Sequence, residues 1–399
     1  MAVEGNLLRL FPVEADKQPM TPPEYSKTGV LSHQAIRAMI AAGEVGALAG
    51  ISADQIQPAS LDLRLGRRAY RVRASFLPGP DATVMDRVRD LDGFPAIDLT
   101  SGGAVLEKGA VYVVELQESV KLPAGLVGLA NPKSSTGRID VLTRLITDRA
   151  VAFDRVEKSY AGPLYVEVAP LTFSVVVREG SRLNQIRFQR GAPPMPGSEI
   201  QKLYDNDQLV VAFGEKKAPL RGNLVPVTVD LLTPPRGVIV GYKAKKNTNK
   251  LDVDLLKKYD PQDFWDKIER HDGRLNLDRD DFYILATREE VGVPPHLAAE
   301  MRPYDNASGE FRVHYAGFFD PGFGYVNGRA SGSRAVLEVR SYGVSFTLEH
   351  GQIVGWMEYT PMASGPTDKP YGADIRSNYQ GQGVALSKHF IPNGYPGSF

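Results

Sequence analysis

The chain has 399 residues, 47 basic and 47 acidic, with 42% hydrophobic residues and no cysteine. That length exceeds one typical core and points to two domains. Zero net charge argues against a nucleic-acid polymer or an anionic membrane as main partner, and the missing thiols exclude disulfides and thiolate zinc sites.

Residues 1–27 hold Pro12, Pro19, Pro22 and Pro23 and several acidic side chains, so they read as a flexible N-terminal arm and not as a signal peptide. No apolar run approaches the ~18 residues that span a bilayer, and a cytoplasmic location is expected. With 39 glycines and 29 prolines the chain suits a turn-rich, all-β fold with minor helix. The first clear element is GVLSHQAIRAMIAAGEVG from Gly29. Ser32 is placed to cap a helix whose Leu31, Ile36, Met39 and Ile40 share a face, and Gly43 is placed to close it.

From Ile56 the period changes to two. Leu61, Leu63 and Leu65 alternate with Asp62 and Arg64, which predicts a half-buried strand. Short strands are then expected around 111–116, 126–130, 142–146, 164–168 and 173–177, separated by Gly/Pro/Asp clusters. Between the second and third lies NPKSSTGR at 131–138. Hydroxyls (Ser134, Ser135), a glycine and two cations (Lys133, Arg138) are the groups a polyphosphate asks of a loop. Pro132 cannot donate to a ladder, so no continuous central strand is expected through this stretch.

Residues 196–223, rich in Gly, Pro and charge, read as a linker, after which the earlier pattern returns. Leu224 to Leu231 mirrors Ile56 to Leu63, Phe282 to Leu285 mirrors Val111 to Val114, Phe319-Asp320 mirrors Phe153-Asp154, and Val336 to Val339 mirrors Tyr165 to Val168. The offset is 168 at the first pair and 171 at most others. The chain is read as a tandem pair of β-domains, 28–195 and 224–390. Between matched pieces of the second copy, Pro261 splits 252–270, where a short helix has room to form.

The copies are unequal. Ser134, Ser135 and Arg138 face Asp305, Asn306 and Gly309, so only the first copy has the hydroxyl–arginine loop. Only the second has the Asp320-Pro321-Gly322 turn and a Gly/Gln/Tyr tail through Tyr371, Tyr379 and Gln382. A single site shared between unlike copies follows, and association of chains is expected to build it.

Taken together these pieces resemble the deoxycytidine triphosphate deaminase family of the dUTPase-fold superfamily, in its long, two-domain form. KSSTGR is similar to the family's Ser-Ser-x-x-Arg element, FDPGFG with VLEV to its Asp-Pro-Gly … Leu-Glu segment, and YGADIRSNYQGQG to its tail. The resemblance implies distorted jelly-roll β-barrel domains, a homo-oligomer with a trimer favoured, and hydrolytic deamination of dCTP to dUTP and ammonia. It implies magnesium carried with the triphosphate and no zinc. Carried over, Lys133, Ser134, Ser135 and Arg138 would bind substrate, Glu338 or Glu167 would move protons, and Asp154 or Asp320 would lie near the sugar and base. Tyr371, Tyr379 and Gln382 would belong to a closing tail. Where the family has an arginine two residues before the aspartate, this chain has Ala152 and Phe318, and a tail lysine is Asn378.

The chemistry also stands on the residues. Deamination needs a water, a base for its proton, and proton delivery to the leaving ammonia; one buried glutamate can do all three if desolvation raises its pKa. Glu167 and Glu338 each sit within an apolar strand, where they are otherwise ordinary alternating residues. Glu338, beside the intact turn, is preferred. The six histidines show no metal-like spacing, and the cysteines of the zinc deaminases are absent. Lys243, Lys245 and Lys246 read as a solvated loop. The rival readings are a dUTPase or bifunctional deaminase–diphosphatase, and a catalytically silent nucleotide-binding module.

Overall fold

The computed structural model describes residues 28–91, 95–191, 194–211, 217–232, 238–303, 311–314, 317–363, 365–372 and 381–392. The expected arm at 1–27, Tyr379 and the second-copy residues facing the hydroxyl loop lie outside these. The described chain is mostly strand, and none of its helices is long and apolar enough to cross a membrane.

Each half pairs a larger antiparallel sheet with a smaller one. In the first half, 65–72, 111–121, 161–170 and 141–147 run side by side in a six-stranded sheet, and 29–30, 184–190, 126–132, 155–156 and 61–63 form a five-stranded one. In the second, 265–269, 239–244, 282–291, 333–341 and 311–314 lie in a six-stranded sheet, opposite four strands at 224–228, 353–361, 297–303 and 318–319. The expected duplication thus recurs in the strand order of the larger sheets, while the smaller sheets differ by the extra strand 29–30.

Helix α1 (His33–Ala41) buries Ile36 and Met39 of the expected face, with Leu31 buried just before it and Ile40 only half-buried, and Gly43 at φ +71° ends it. Ser32 sits at the N-cap position, yet its buried hydroxyl makes no capping bond. The expected linker at 196–223 instead carries a helix and a strand in its first part. Helix α2 (Gly197–Asp205) sinks Ile200 and Tyr204, one turn apart, into the core of the second half. Val210–Val211 then pairs with 290–291, just as Val45–Ala47 pairs with 118–120. The Pro/Gly-rich lead-in concealed a second copy of the α1–strand unit. In 252–270 the anticipated helix is only a 3-10 turn, Pro261–Asp263, and Trp265–Glu269 is strand.

The two halves are fused by a shared core. Strand Leu251–Asp252 adds in parallel to Val175–Val177, and Arg178 clamps Asp252 at 2.6 Å and Asp254 at 2.6 Å. Phe264, Trp265 and Phe390 pack around Phe173, with ring centroids of Phe173 and Trp265 5.4 Å apart. After its last strand the second half crosses back: Ala363 N donates to Val30 O at 2.7 Å.

One ion pair is fully buried in this seam. Arg340 donates to the Asp140 carboxylate and, at 2.9 Å, to the Thr172 hydroxyl, while Thr172 also donates to Asp140 at 2.5 Å. Truncating one partner of such a pair strands the other charge without solvent. Arg340→Ala is therefore expected to destabilise the chain by about 3–5 kcal/mol in urea denaturation. The Asp140→Asn/Arg340→Met double variant should be less damaging than the sum of its singles, and full additivity would contradict the assignment.

Candidate functional site

The site is built on one strand and one loop. In strand Ser333–Ser341, Ala335, Leu337 and Val339 face the second half's own core. Period two turns Arg334, Val336, Glu338 and Arg340 to the other side. That side is covered by the first half.

The loop begins where strand Leu126–Pro132 ends. Pro132 is the last paired residue, opposite Asn184, and a single helical turn, Ser134–Gly137, follows. Ser134 stays exposed, while Ser135 and Arg138 are buried. The turn sends Arg138 across the seam, where its Nη1 donates to Gln382 Oε1 at 3.0 Å and to Ala385 O at 3.0 Å. Gln382 in turn donates to Arg334 O at 3.0 Å, and Ser387 Oγ to Ser135 O at 2.7 Å. The tail thus straps the loop to the Glu338 strand.

The cavity between them is lined by Lys133, Ser134, Ser135 and Arg138 from the first half and by Asp320, Glu338, Tyr371 and Gln382 from the second. Burial pushes the Glu338 carboxyl up from its ordinary 4.5 to about 8, against the pull of the Arg138 charge. Burial also raises Asp320, with Arg187 beside it at 3.3 Å pulling the other way. The turn holding Asp320 requires its glycine. Gly322 has φ +94°, and a Cβ there would sit 2.8 Å from Tyr371 N, which itself donates to Pro321 O at 2.7 Å.

Eight of the eleven candidate residues therefore meet in one cavity, within one chain. The expectation that separate chains must associate to bring loop and tail together is not needed, because the shared core already folds the second half onto the first. Glu167 and Asp154 are placed elsewhere. Glu167 occupies the same register as Glu338, but Arg144 holds it at 2.9 Å. The outer face of its sheet is covered by Val84 and Val88 of a local helical segment (Val84–Leu91) rather than by the other half. Asp154, at φ +59°, accepts from Leu145 N at 2.8 Å, and burial raises it to about 7.

Sequence reasoning missed Gln57, Gln185, Phe318 and Lys388 in the lining, and Arg187 behind it. Arg187 crosses from the first half to Asp320, donates to Ala299 O at 3.2 Å and stacks on the Phe318 ring at 4.0 Å. Only its position inside the strand FQR-preceding run NQIR could have flagged it, as a charge on a buried strand. Among the described residues no three His, Asp or Glu side chains gather as metal ligands. Lys243 and Lys246, read as solvated, are paired with Asp281 at 2.8 and 2.9 Å.

The raised Glu338 carboxyl has a consequence for stability. A group whose folded pKa lies above its unfolded value contributes fully below the unfolded value and loses that contribution as pH rises through the folded one. Wild type should therefore lose stability relative to Glu338→Gln between pH 4.5 and about 8 and run parallel to it above. A wild-type-minus-variant difference that stays flat across this window, measured by urea denaturation at stepped pH, would contradict the placement.

Comparison with known proteins places both halves in one family. Residues 27–192 match the family of 2'-deoxycytidine 5'-triphosphate deaminase N-terminal domains, and residues 197–390 match the family of the corresponding C-terminal domains. A crystal structure of 2'-deoxycytidine 5'-triphosphate deaminase from Agrobacterium tumefaciens is similar at 50% identity and a TM-score of 0.78, over 84% of this chain and 99% of that one. A dCTP deaminase of Haloarcula marismortui is 27% identical over 135 residues, which is 34% of this chain and 66% of that protein. A dUMP-forming dCTP deaminase of Corynebacterium glutamicum strain R is 32% identical over 131 residues, 31% of this chain and 64% of that protein. The matches to these two curated relatives thus span slightly under two thirds of their length. With both halves matched in order, the chain belongs to the 2'-deoxycytidine 5'-triphosphate deaminase family.

Proposed function

We propose that the chain hydrolyses the C4 amino group of dCTP, giving dUTP and ammonia, in the cavity between its halves. The observation that carries this is the meeting of Glu338, at about 8, with Arg138 and the two serines of the opposite half. A carboxyl whose pKa lies near the working pH can give up its proton and take it back, as an acid–base shuttle must. Glu338 would take a proton from the attacking water and pass protons to the ring and the departing amine. C4 then loses its C–N bond and keeps the new C–O bond. Arg138 would hold the shuttle's charge in balance, and Ser134 and Ser135 would orient water or substrate.

The Corynebacterium relative is a dCTP deaminase of the dUMP-forming kind. That keeps a second reading open, in which the same cavity also releases pyrophosphate and Asp320 activates the water. Magnesium is read as part of the substrate, carried on its phosphates, and the chemistry drawn on Glu338 calls for no zinc. The pairing of one larger and one smaller sheet in each half supports a distorted jelly roll, and the family resemblance supports a homo-oligomer, with a trimer favoured.

The test uses protein dialysed against a zinc chelator, repleted with magnesium and given dCTP. Ammonia with dUTP is the expected product pair. Ammonia with dUMP and pyrophosphate would favour the second reading, and activity restored by zinc alone would overturn the mechanism. Glu338→Gln should lower turnover by about a hundredfold or more, the usual scale of lost proton transfer. Arg138→Ala should be comparably impaired, while Glu167→Gln should keep most activity if it folds. The reverse pattern for the two glutamates would sink the assignment.

A further inference from the structure

Part of the cavity wall is the two-residue strand Phe318–Phe319, with Asp320 next in the chain. Its ladder has two rungs, Ala299 with Phe319 and Glu300 with Phe318, which is little to hold a wall in place. Arg187 of the first half adds the rest. On strand Asn184–Arg190, Ile186 and Phe188 face the first half's own core, so Gln185 and Arg187 turn to the second half. The Arg187 guanidinium then meets three consecutive residues. It lies 4.0 Å over the Phe318 ring, donates to Phe319 O at 3.3 Å and donates to Asp320 Oδ1 at 3.3 Å. Its other terminal nitrogen donates at 3.2 Å to the carbonyl of Ala299, the residue paired with Phe319.

This arrangement differs from a closed bidentate pair, in which a guanidinium holds both oxygens of its carboxylate. Arg187 bonds one oxygen of Asp320, and its buried Nε–H has no partner. Among the described residues no second donor meets the Asp320 carboxylate. Asp320 lines the cavity, so its other oxygen remains to accept a bond from a ligand. Burial opposes both charges, raising Asp320 and lowering Arg187. Each is the other's chief support: Asp320 acts on Arg187 ahead of Glu300, and Arg187 acts on Asp320 ahead of Asp62 and Lys133. The Glu338 carboxyl answers instead to Arg138 and Asp140.

We infer that Arg187 is a positioning residue of the cavity: through it, docking of the first half sets the Phe318 ring and the Asp320 carboxylate, and Asp320 takes a hydrogen-bond donor of the substrate with its remaining oxygen. This rests on the reading of the cavity as the dCTP site. Because Arg187 acts through Asp320, its loss matters most toward low pH, where Asp320 depends on a neighbouring cation to stay charged.

The experiment measures dCTP binding by calorimetry from about pH 6 to about pH 9 in Glu338→Gln protein, where slowed turnover leaves dCTP intact and Glu338 no longer titrates. In that background Arg187→Met should weaken binding about tenfold or more at the acid end, the scale of one charge-assisted contact, and much less at the alkaline end. Arg187→Lys should make the loss independent of pH without restoring full affinity, since it returns the charge but not the planar fork. With Asp320→Asn already in place, Arg187→Met should cost little more. Urea denaturation checks that each variant folds. Arg187→Gln, which keeps amide donors for the two carbonyls, carries the same expectation if Arg187→Met does not fold. A loss of one size at every pH, or the same loss with and without Asp320→Asn, would mean that Arg187 only stabilises the seam and would overturn the inference. So would unchanged binding in the uncharged variants. The expected pattern in a protein whose wild type releases no ammonia from dCTP would sink the deaminase reading and leave the positioning role standing. A wild type that neither binds nor deaminates dCTP would overturn both.

Discussion

The contact on which the site depends is the buried pair Asp140–Arg340. Asp140 lies two residues beyond Arg138, at the exit of the hydroxyl loop, and Arg340 lies two residues beyond Glu338 on its strand. In a strand, residues two apart share a face, so fixing Arg340 fixes the direction of Glu338. On the loop side, Asp140 takes φ +55°, a left-handed conformation that aspartate tolerates better than most residues, and this turns the chain from the loop into strand Val141–Thr147. The clamp therefore sets the distance between the arginine of one half and the glutamate of the other. Both charges are out of water, so the pair is a device of position more than of net stability.

Duplication would ordinarily give two equivalent sites. Here each half retains a glutamate at the same place in its larger sheet, but different material covers the two. Glu338 faces a seam that brings loop, tail and turn to it. Glu167 faces the segment carrying Val84 and Val88, and its charge is met by Arg144. Glu167 lies within bonding distance of a guanidinium, whereas Glu338 faces a mostly desolvated cavity, which drives a carboxyl toward its neutral form. The same residue type thus becomes an ion pair in one half and a cavity-lining carboxyl in the other.

Much of this was legible in the residues. Period-two patterning located the strands, the near-constant offset exposed the duplication, and the loss of Ser134, Ser135 and Arg138 equivalents in the second copy suggested a shared site. Alternation reports that a strand has two faces, but not what covers the outer one, so it could not separate Glu167 from Glu338, and the preference for Glu338 rested only on the intact turn beside it. The short helix Gly197–Asp205 was hidden because only Ile200 and Tyr204 mark its buried stripe amid Pro, Gly and charge. Arg187 and Lys388 gained their places through contacts more than 100 residues distant, Arg187 with Asp320 and Lys388 with Lys257, which no local pattern carries.

The central claim is that one chain supplies both sides of its own cavity. Arg138→Ala and Glu338→Gln chains, each prepared separately, can be unfolded together and reassembled with dCTP as substrate. With the cavity within each chain, every cavity in the mixture carries one of the two lesions, and activity should not exceed the average of the two variants. Recovery of a substantial fraction of wild-type turnover would show that Arg138 and Glu338 meet across chains, and would contradict the account.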